Sequence, residues 1–218
     1  MPPGERRRLF TMERNYAPVT PEEADVVGLI AYSILAAMTR LAKDGDQAPS
    51  FEVHAEHARM SARAFTIFTQ VETWCVHRGV DLTAAGQNYE GLFDDLDART
   101  RPTTWYERSV KTYVTLGIIS DFLKEIAAPR GLFDEADWDL GQSAWERTHL
   151  APVIASDEQL SARLSLWARR VAGEVLGLMR ATLFMHPHLV DSPETGDAVI
   201  ERITARHGER MADINLRS

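Results

Sequence analysis

The chain has 218 residues, of which 44% are hydrophobic and 26% charged, and its formal net charge is −8. This length supports one sizeable hydrophobic core, and the negative charge argues against a nucleic-acid groove, which needs a basic face. The N-terminus lacks the apolar segment of a secretory signal, and no apolar run approaches the roughly 20 residues that span a bilayer. A single cysteine excludes an intrachain disulfide. We therefore expect a cytoplasmic location.

The first third of the chain predicts an N-terminal arm followed by two long helices. Residues 1–19 contain several prolines and no sustained period, so they are predicted to form a flexible arm, whereas residues 20–218 form a single helical domain. The Thr-Pro-Glu-Glu sequence at 20–23 is a capping box, and helical periodicity continues to about residue 42. A second helix is predicted between a serine cap and a glycine stop, over 51–78.

The rest of the chain predicts a long connection and four further helices. The connection, 79–102, is long enough for a crossover along the length of a helical bundle. Predicted helices then cover about 104–128, 134–150, 156–185 and 192–208. No segment has the alternating pattern of a strand. The sequence therefore predicts an all-α fold, a four-helix bundle with a long crossover connection and two additional C-terminal helices.

Three segments carry a resemblance to a known family, and they lie at 110–114 (Val-Lys-Thr-Tyr-Val), 163–174 and 207–211 (His-Gly-Glu-Arg-Met). They resemble the branch of the ferritin-like superfamily that is related to the tRNA methylthio-ribosylzeatin hydroxylase. The resemblance extends over about residues 25–215. It implies a ferritin-like bundle, whose members hold two irons with carboxylates and Glu-x-x-His pairs.

The same resemblance places the iron ligands at positions that hold mostly unsuitable residues here. One acid of the family pattern, Asp121, is retained. The other ligand positions hold Ile34, Ala64, Ile67, Asp139 and Gln142. Aliphatic side chains cannot bind iron. The pair His186 and His188, in a loop, is only a weak metal motif without a carboxylate. We therefore expect no metal and no cofactor, with iron as the alternative.

A Glu-x-x-His sequence lies two helical turns beyond the expected ligand level, at Glu146 and His149. On an antiparallel second helix, His57 lies one heptad from the ligand position, which shifts it toward the same end of the bundle. The three side chains are predicted to meet about 10 Å from the metal level, near the turn between the first two helices. The alternative is a surface glutamate and a histidine that caps the end of a helix.

The leading functional hypothesis is a metal-independent enzyme that holds an apolar small molecule where the irons would be. Acid–base chemistry, such as cyclisation, isomerisation or elimination, is assigned to His57, Asp121, Asp139, Glu146 and His149. The predicted substrate-binding residues are Ile34, Ala64, Ile67, Tyr113, Gln142 and Trp138. The sequence leaves two alternative functions open: a diiron or single-metal hydroxylase, and a non-catalytic binding or scaffold protein. It is also compatible with a homodimer.

Overall fold

The computed structural model describes residues 18–133 and 138–218, and all regular structure among them is helical. The helices are α1 (Pro21–Asp46), α2 (Phe51–Arg78), α3 (Leu82–Gln87), α4 (Asp94–Arg99), α5 (Trp105–Ala127), α6 (Gln142–His149), α7 (Ala151–Ser156), α8 (Glu158–Met185) and α9 (Pro193–Ala212). Short 3-10 turns follow α5 and α8. The all-α prediction is confirmed, whereas the predicted arm falls almost entirely outside the described residues.

The boundaries of α1 and α2 follow from their local caps. The hydroxyl of Thr20 accepts a hydrogen bond from the backbone N–H of Glu23 at 3.1 Å, and the Glu23 carboxylate accepts one from the Thr20 N–H at 2.8 Å. The Ser50 hydroxyl caps α2 in the same way, and Gly79 ends it with a φ of 69°. Each cap satisfies backbone groups that the helix leaves unpaired, so both starts were predictable.

The helices form two packed pairs joined by the predicted crossover. A short connection folds α2 back along α1, and these two helices make the most extensive helix–helix contact. The second large contact pairs α5 with α8. Within the crossover, α3 lies against α1 and α4 against α8, while α9 packs on α5 and α8. The four long helices of the bundle are therefore α1, α2, α5 and α8.

The predicted fourth helix, 134–150, begins in residues 134–137, which lie outside the described residues, and over 138–141 the prediction of a helix is wrong. The helix in this region, α6, begins only at Gln142, and Trp138 and Asp139 precede it in non-helical structure. Gly141 has a left-handed backbone with a φ of 82°, and its N–H donates to Asp139 Oδ1 at 2.8 Å. This turn starts α6 late, because a left-handed residue cannot continue a right-handed helix. Asp139 and Glu146 therefore do not share a helix face.

Among the long helices that the structure describes, α1 is the most apolar. It has 26 residues and contains a window with a mean hydropathy of 1.5, so it is long and apolar enough to cross a membrane by length and composition. The sequence predicted this helix, but its length and hydropathy contradict the expectation that no segment approaches those of a membrane span. In the fold, 56% of that window is buried inside the protein, and Val26, Val27 and Ile30 are fully buried. The same composition is therefore that of a core helix packed between α2, α3 and α5.

The contact between α1 and α3 requires a glycine at position 28, and replacing it provides a test of the packing. A Cβ at Gly28 would lie 2.3 Å from the carbonyl oxygen of Ala85, whereas a Cβ at Gly173 on α8 would meet nothing within 4 Å. We expect Gly28→Ala to lower the free energy of unfolding by about 1–3 kcal/mol through overpacking. The matched control Gly173→Ala is expected to raise it by about 0.5–1 kcal/mol. Chemical denaturation measures both, and equal effects would contradict this packing.

Candidate functional site

Two hydroxyls on α5 hold two buried carboxyl groups from other helices. The Ser109 hydroxyl donates to Glu146 Oε1 at 2.7 Å, and the Thr112 hydroxyl donates to Asp44 Oδ2. Ser109 and Thr112 are three residues apart, so they lie on one face of α5. Both carboxyl groups are almost completely buried. The structure therefore places one acid from α1 and one from α6 a single turn apart along α5.

Burial makes both of these carboxyl groups weaker acids than usual. It raises the pKa of Glu146 to about 8, which Ser109 and Gln142 counteract only in part, and the nearby Asp44 raises that pKa further. Glu146 Oε2 and Gln142 Nε2 make no hydrogen bond of good geometry among the described residues. Burial also raises the pKa of Asp44, against the opposing effect of Thr112 and Arg108. At neutral pH, Glu146 is therefore mainly a neutral carboxylic acid.

Asp44 also lies at the wall of a cleft between α1, α5 and the crossover. The cleft has a volume of about 460 Å³. Arg108 Nη1 lies 3.2 Å from Asp44 Oδ1, and Lys111 Nζ lies 2.9 Å from Asp97 Oδ1. Apart from these four residues, the lining consists of Tyr32, Leu35, Ala36, Thr39, Arg40, Lys43, Phe93 and Asp94. The cleft is thus a charged site with an apolar wall.

The cleft combines an excess of cations with a pair of aromatic rings. Arg40, Lys43, Arg108 and Lys111 outnumber the three lining aspartates, although the whole chain carries a net charge of −8. Lys43 is exposed and forms no ion pair with any residue that the structure describes. The rings of Tyr32 and Phe93 stack with their centroids 5.8 Å apart. This combination suits a ligand with a negative group and a planar part.

The predicted convergence of His57, Glu146 and His149 is wrong. The His57 ring is buried against Trp145, with ring centroids 4.9 Å apart, and its Nδ1 lies 3.0 Å from the Val53 carbonyl oxygen. His149 is exposed and stacks on Trp145 at 4.7 Å. The two imidazoles thus both lie against Trp145, while the Glu146 carboxyl is held by Ser109. Burial lowers the pKa of His57, which favours a neutral ring.

His57 and Glu146 lie at the bundle end where they were predicted, but the charged groups that line the cleft there are Asp44, Arg108 and Lys111. The first helix was predicted to end at about residue 42, before Asp44, whereas α1 continues to Asp46. One signal was available in the sequence, because Ser109, Lys111 and Thr112 are polar residues in a helix that is otherwise largely apolar.

The predicted apolar pocket exists, but it is small. Ile34, Ala64, Ile67 and Trp138 line it together with residues of α5, as expected. Its volume is about 50 Å³, far below the roughly 300 Å³ at the lower end of ligand pockets. The other two predicted binding residues do not line it, because the Tyr113 hydroxyl donates to the Arg210 carbonyl oxygen at 3.1 Å and Gln142 lies beside Glu146.

The remaining predicted acids have structural partners. Asp121 forms an ion pair with Arg210, whose side chain lies over Gly117, where a Cβ would be 2.6 Å from the Arg210 Nε. Asp139 caps the turn before α6. A dinuclear iron centre in a bundle needs several carboxylates and imidazoles that project inward together. At the positions that the resemblance assigns to iron ligands, Ile34, Ala64 and Ile67 line an apolar pocket and Asp121 is paired to an arginine, so these described residues do not offer such a ligand set.

The raised pKa of Glu146 predicts a change of stability with pH. In the folded protein the carboxyl stays protonated up to about pH 8, whereas in the unfolded chain it ionises near the ordinary value of 4.5. The unfolded state therefore releases the proton first, and raising the pH between these values lowers the free energy of unfolding. Glu146→Gln removes this titration and keeps an acceptor for Ser109. We expect the variant to lose less stability than the wild type from pH 5 to pH 8, measured by chemical denaturation. Parallel curves would show that Glu146 is not a buried acid.

Comparison with known proteins identifies the family. A family described as "Ferritin-like domain, actinomycetes" matches residues 20–189, from the cap of α1 to the turn after α8. A search of curated proteins finds no match. The matched segment contains all four long helices of the bundle, which agrees with the all-α fold and with the superfamily expected from the sequence. The chain belongs to the ferritin-like domain family of actinomycetes.

Proposed function

We propose that this ferritin-like protein binds a small organic anion with a planar, apolar part in the cleft between α1, α4 and α5, without using a dinuclear iron centre. The observation that carries the proposal is the cleft itself. It offers about 460 Å³ and four cationic side chains, whereas the interior pocket offers about 50 Å³ and apolar walls. A preformed concave site is the usual form of a small-molecule site.

Each part of the cleft has a role in this proposal. The stacked rings of Tyr32 and Phe93 provide a flat wall for the planar part of the ligand. Lys43 and Arg108 lie at the edge of the cleft, where charge-assisted hydrogen bonds to a carboxylate or phosphate can form. Lys111 is only 4% exposed and is held by Asp97, which also accepts from Arg40. This network fixes the positive groups before the ligand arrives, which reduces the entropy cost of binding.

The chemistry that these groups support is proton transfer. Burial raises the pKa of Asp44 and lowers the pKa of Lys111, so the pKa values of both groups move toward neutrality. A group whose pKa lies near the working pH can act as a general acid or base. Cyclisation, isomerisation and elimination are reactions of this kind. In this proposal Asp44 is the general acid or base, the role that the sequence assigned to His57 and His149. Proton transfer of this kind requires no redox cofactor.

A second candidate function is binding of an apolar molecule inside the bundle. Four of the predicted lining residues do surround one apolar pocket, which favours this candidate. A ligand of ordinary size would have to separate the helices around that pocket, at a cost in packing. Among the described residues, no comparable observation favours a dinuclear-iron hydroxylase or a scaffold protein.

Ligand binding to variants of the cleft tests the proposal. Small aromatic carboxylates and phosphate esters would be screened by the thermal shift of the full chain, and the dissociation constant of the best one measured by calorimetry. We expect Lys43→Ala to weaken binding about tenfold, because an exposed cation beside a ligand anion contributes about 1.4 kcal/mol when it is hydrogen-bonded. Lys111→Met should weaken it further.

The matched control is Lys124→Ala, which removes an exposed lysine of α5 far along the helix from the cleft. It has the same effect on net charge as Lys43→Ala. The Lys124→Ala variant should bind the ligand with the same affinity as the wild type. Equal affinity in Lys43→Ala, Lys111→Met and the control would contradict binding in the cleft.

A further inference from the structure

We propose that Asp25, His186 and His188 form a binding site for a single divalent transition-metal ion, with zinc as the best fit. Their ligand atoms all lie within 4.8 Å of one another. Asp25 belongs to α1, whereas the two histidines flank Pro187 in the turn after α8. The site is separate from the cleft and does not depend on the function proposed for it.

The distances are close to those of a metal site. An ion about 2.1 Å from each of two tetrahedral ligand atoms separates those atoms by about 3.4 Å. His186 Nδ1 lies 3.6 Å from Asp25 Oδ2, and His188 Nε2 lies 2.6 Å from the same oxygen. The His188–Asp25 pair therefore needs an outward shift of about 0.8 Å, and the two imidazole nitrogens, which lie within 4.8 Å of each other, must reach the same separation of about 3.4 Å.

The turn that carries the histidines is rigidly held. Arg130 donates to the His188 carbonyl oxygen at 2.7 Å and to the Leu189 carbonyl oxygen at 3.1 Å. The same guanidinium donates to the Ile126 carbonyl oxygen at 2.8 Å, which ties the turn to the end of α5. Leu189 is completely buried. The backbone that carries the two imidazoles is thus held by the fold, as a metal site requires.

The carboxylate is oriented by residues of the crossover. The Asn88 side-chain amide donates to Asp25 Oδ1 at 3.0 Å, and the Tyr89 hydroxyl donates to Oδ2 at 2.5 Å. Tyr89 is 2% exposed, and its ring packs on His186 with centroids 4.9 Å apart. Outer hydrogen bonds of this kind orient metal-binding carboxylates and raise metal affinity. A simple ion pair between aspartate and histidine would need only one imidazole, whereas two imidazoles lie beside the same Asp25 oxygen here.

The donor set indicates the kind of ion and its accessibility. Two imidazoles and one carboxylate suit Zn²⁺, Co²⁺ or Fe²⁺ and leave at least one coordination position for water. The side chains of His186 and His188 remain 27% and 36% exposed, so an ion can enter from solvent. A cleft of about 440 Å³ adjoins Asp25 and Asn88. Water or a small ligand in that cleft can therefore reach the open position.

Metal titration of the chelator-treated full chain tests this site. Calorimetry with Zn²⁺ should show saturable binding of one ion per chain. Asp25→Asn and His186→Ala should each weaken binding by about tenfold or more. His188→Asn should weaken it similarly while keeping a side chain that can hydrogen-bond to Asp25. The control His77→Ala removes an exposed histidine of α2 and should bind as the wild type does.

Cobalt provides a second readout that reports the ligands directly. Co²⁺ bound by two imidazoles and a carboxylate should give visible absorption bands in the wild type, and His186→Ala should lose them. Circular dichroism of the metal-free variants confirms that they are folded. The proposal is overturned if the wild type binds no stoichiometric Zn²⁺. Unchanged Zn²⁺ affinity in all three site variants, or unchanged cobalt bands in His186→Ala, would overturn it as well.

Discussion

The buried polar side chains of α5 hold the surrounding helices in register. This helix contacts α1, α6, α8 and α9, so little of its surface faces solvent. A buried polar group is costly unless it is hydrogen-bonded, and four polar side chains of α5 each have a partner on a different element. Rotation or sliding of one helix would break such a pair, so the pairs specify a single arrangement. They are Ser109 with Glu146, Lys111 with Asp97, Thr112 with Asp44, and Asp121 with Arg210.

The same arrangement decides where chemistry can take place. Along α5, the polar groups near its start face α1, α4 and α6, and there they form the cleft and the buried acids. Farther along, the interior is closed by aliphatic side chains around the small pocket. The pocket farther along α5 is thus apolar, whereas the charged groups lie at the end where α1 turns into α2. In the proposed function, ligand binding would use two of the polar groups that also fix the helix arrangement, Asp44 and Lys111.

Local signals in the sequence were sufficient for most of the fold. Thr20, Ser50 and Thr104 are caps whose hydrogen bonds involve residues only three positions away, so three long helices began where predicted. The start of α6 was missed because the helical period continued through a segment that the turn at Gly141 interrupts. The helical period of a sequence gives the spacing of its apolar residues, but it does not show where a residue with a left-handed backbone interrupts the helix.

The candidate sites were harder to predict because they depend on tertiary geometry. A heptad count placed His57 and Glu146 at the correct bundle end, but it could not give the direction of their side chains or the position of Trp145 against both imidazoles. The carboxylate beside His186 lies in α1, at the other end of the chain, so no sequence motif joins them. Only the packing of the turn after α8 against α1 brings these groups together.

The central claim is that the cleft beside Asp44 and Lys111, and not the bundle interior, is where a ligand binds. Nuclear magnetic resonance of the full chain, titrated with the tightest-binding aromatic carboxylate, tests it most directly. The account predicts that the resonances of Tyr32, Phe93 and Lys111 shift with saturation, while the indole N–H signal of Trp138 in the interior pocket stays in place. Shifts at Trp138 and Ile34 without shifts at Tyr32 and Lys111 would contradict it.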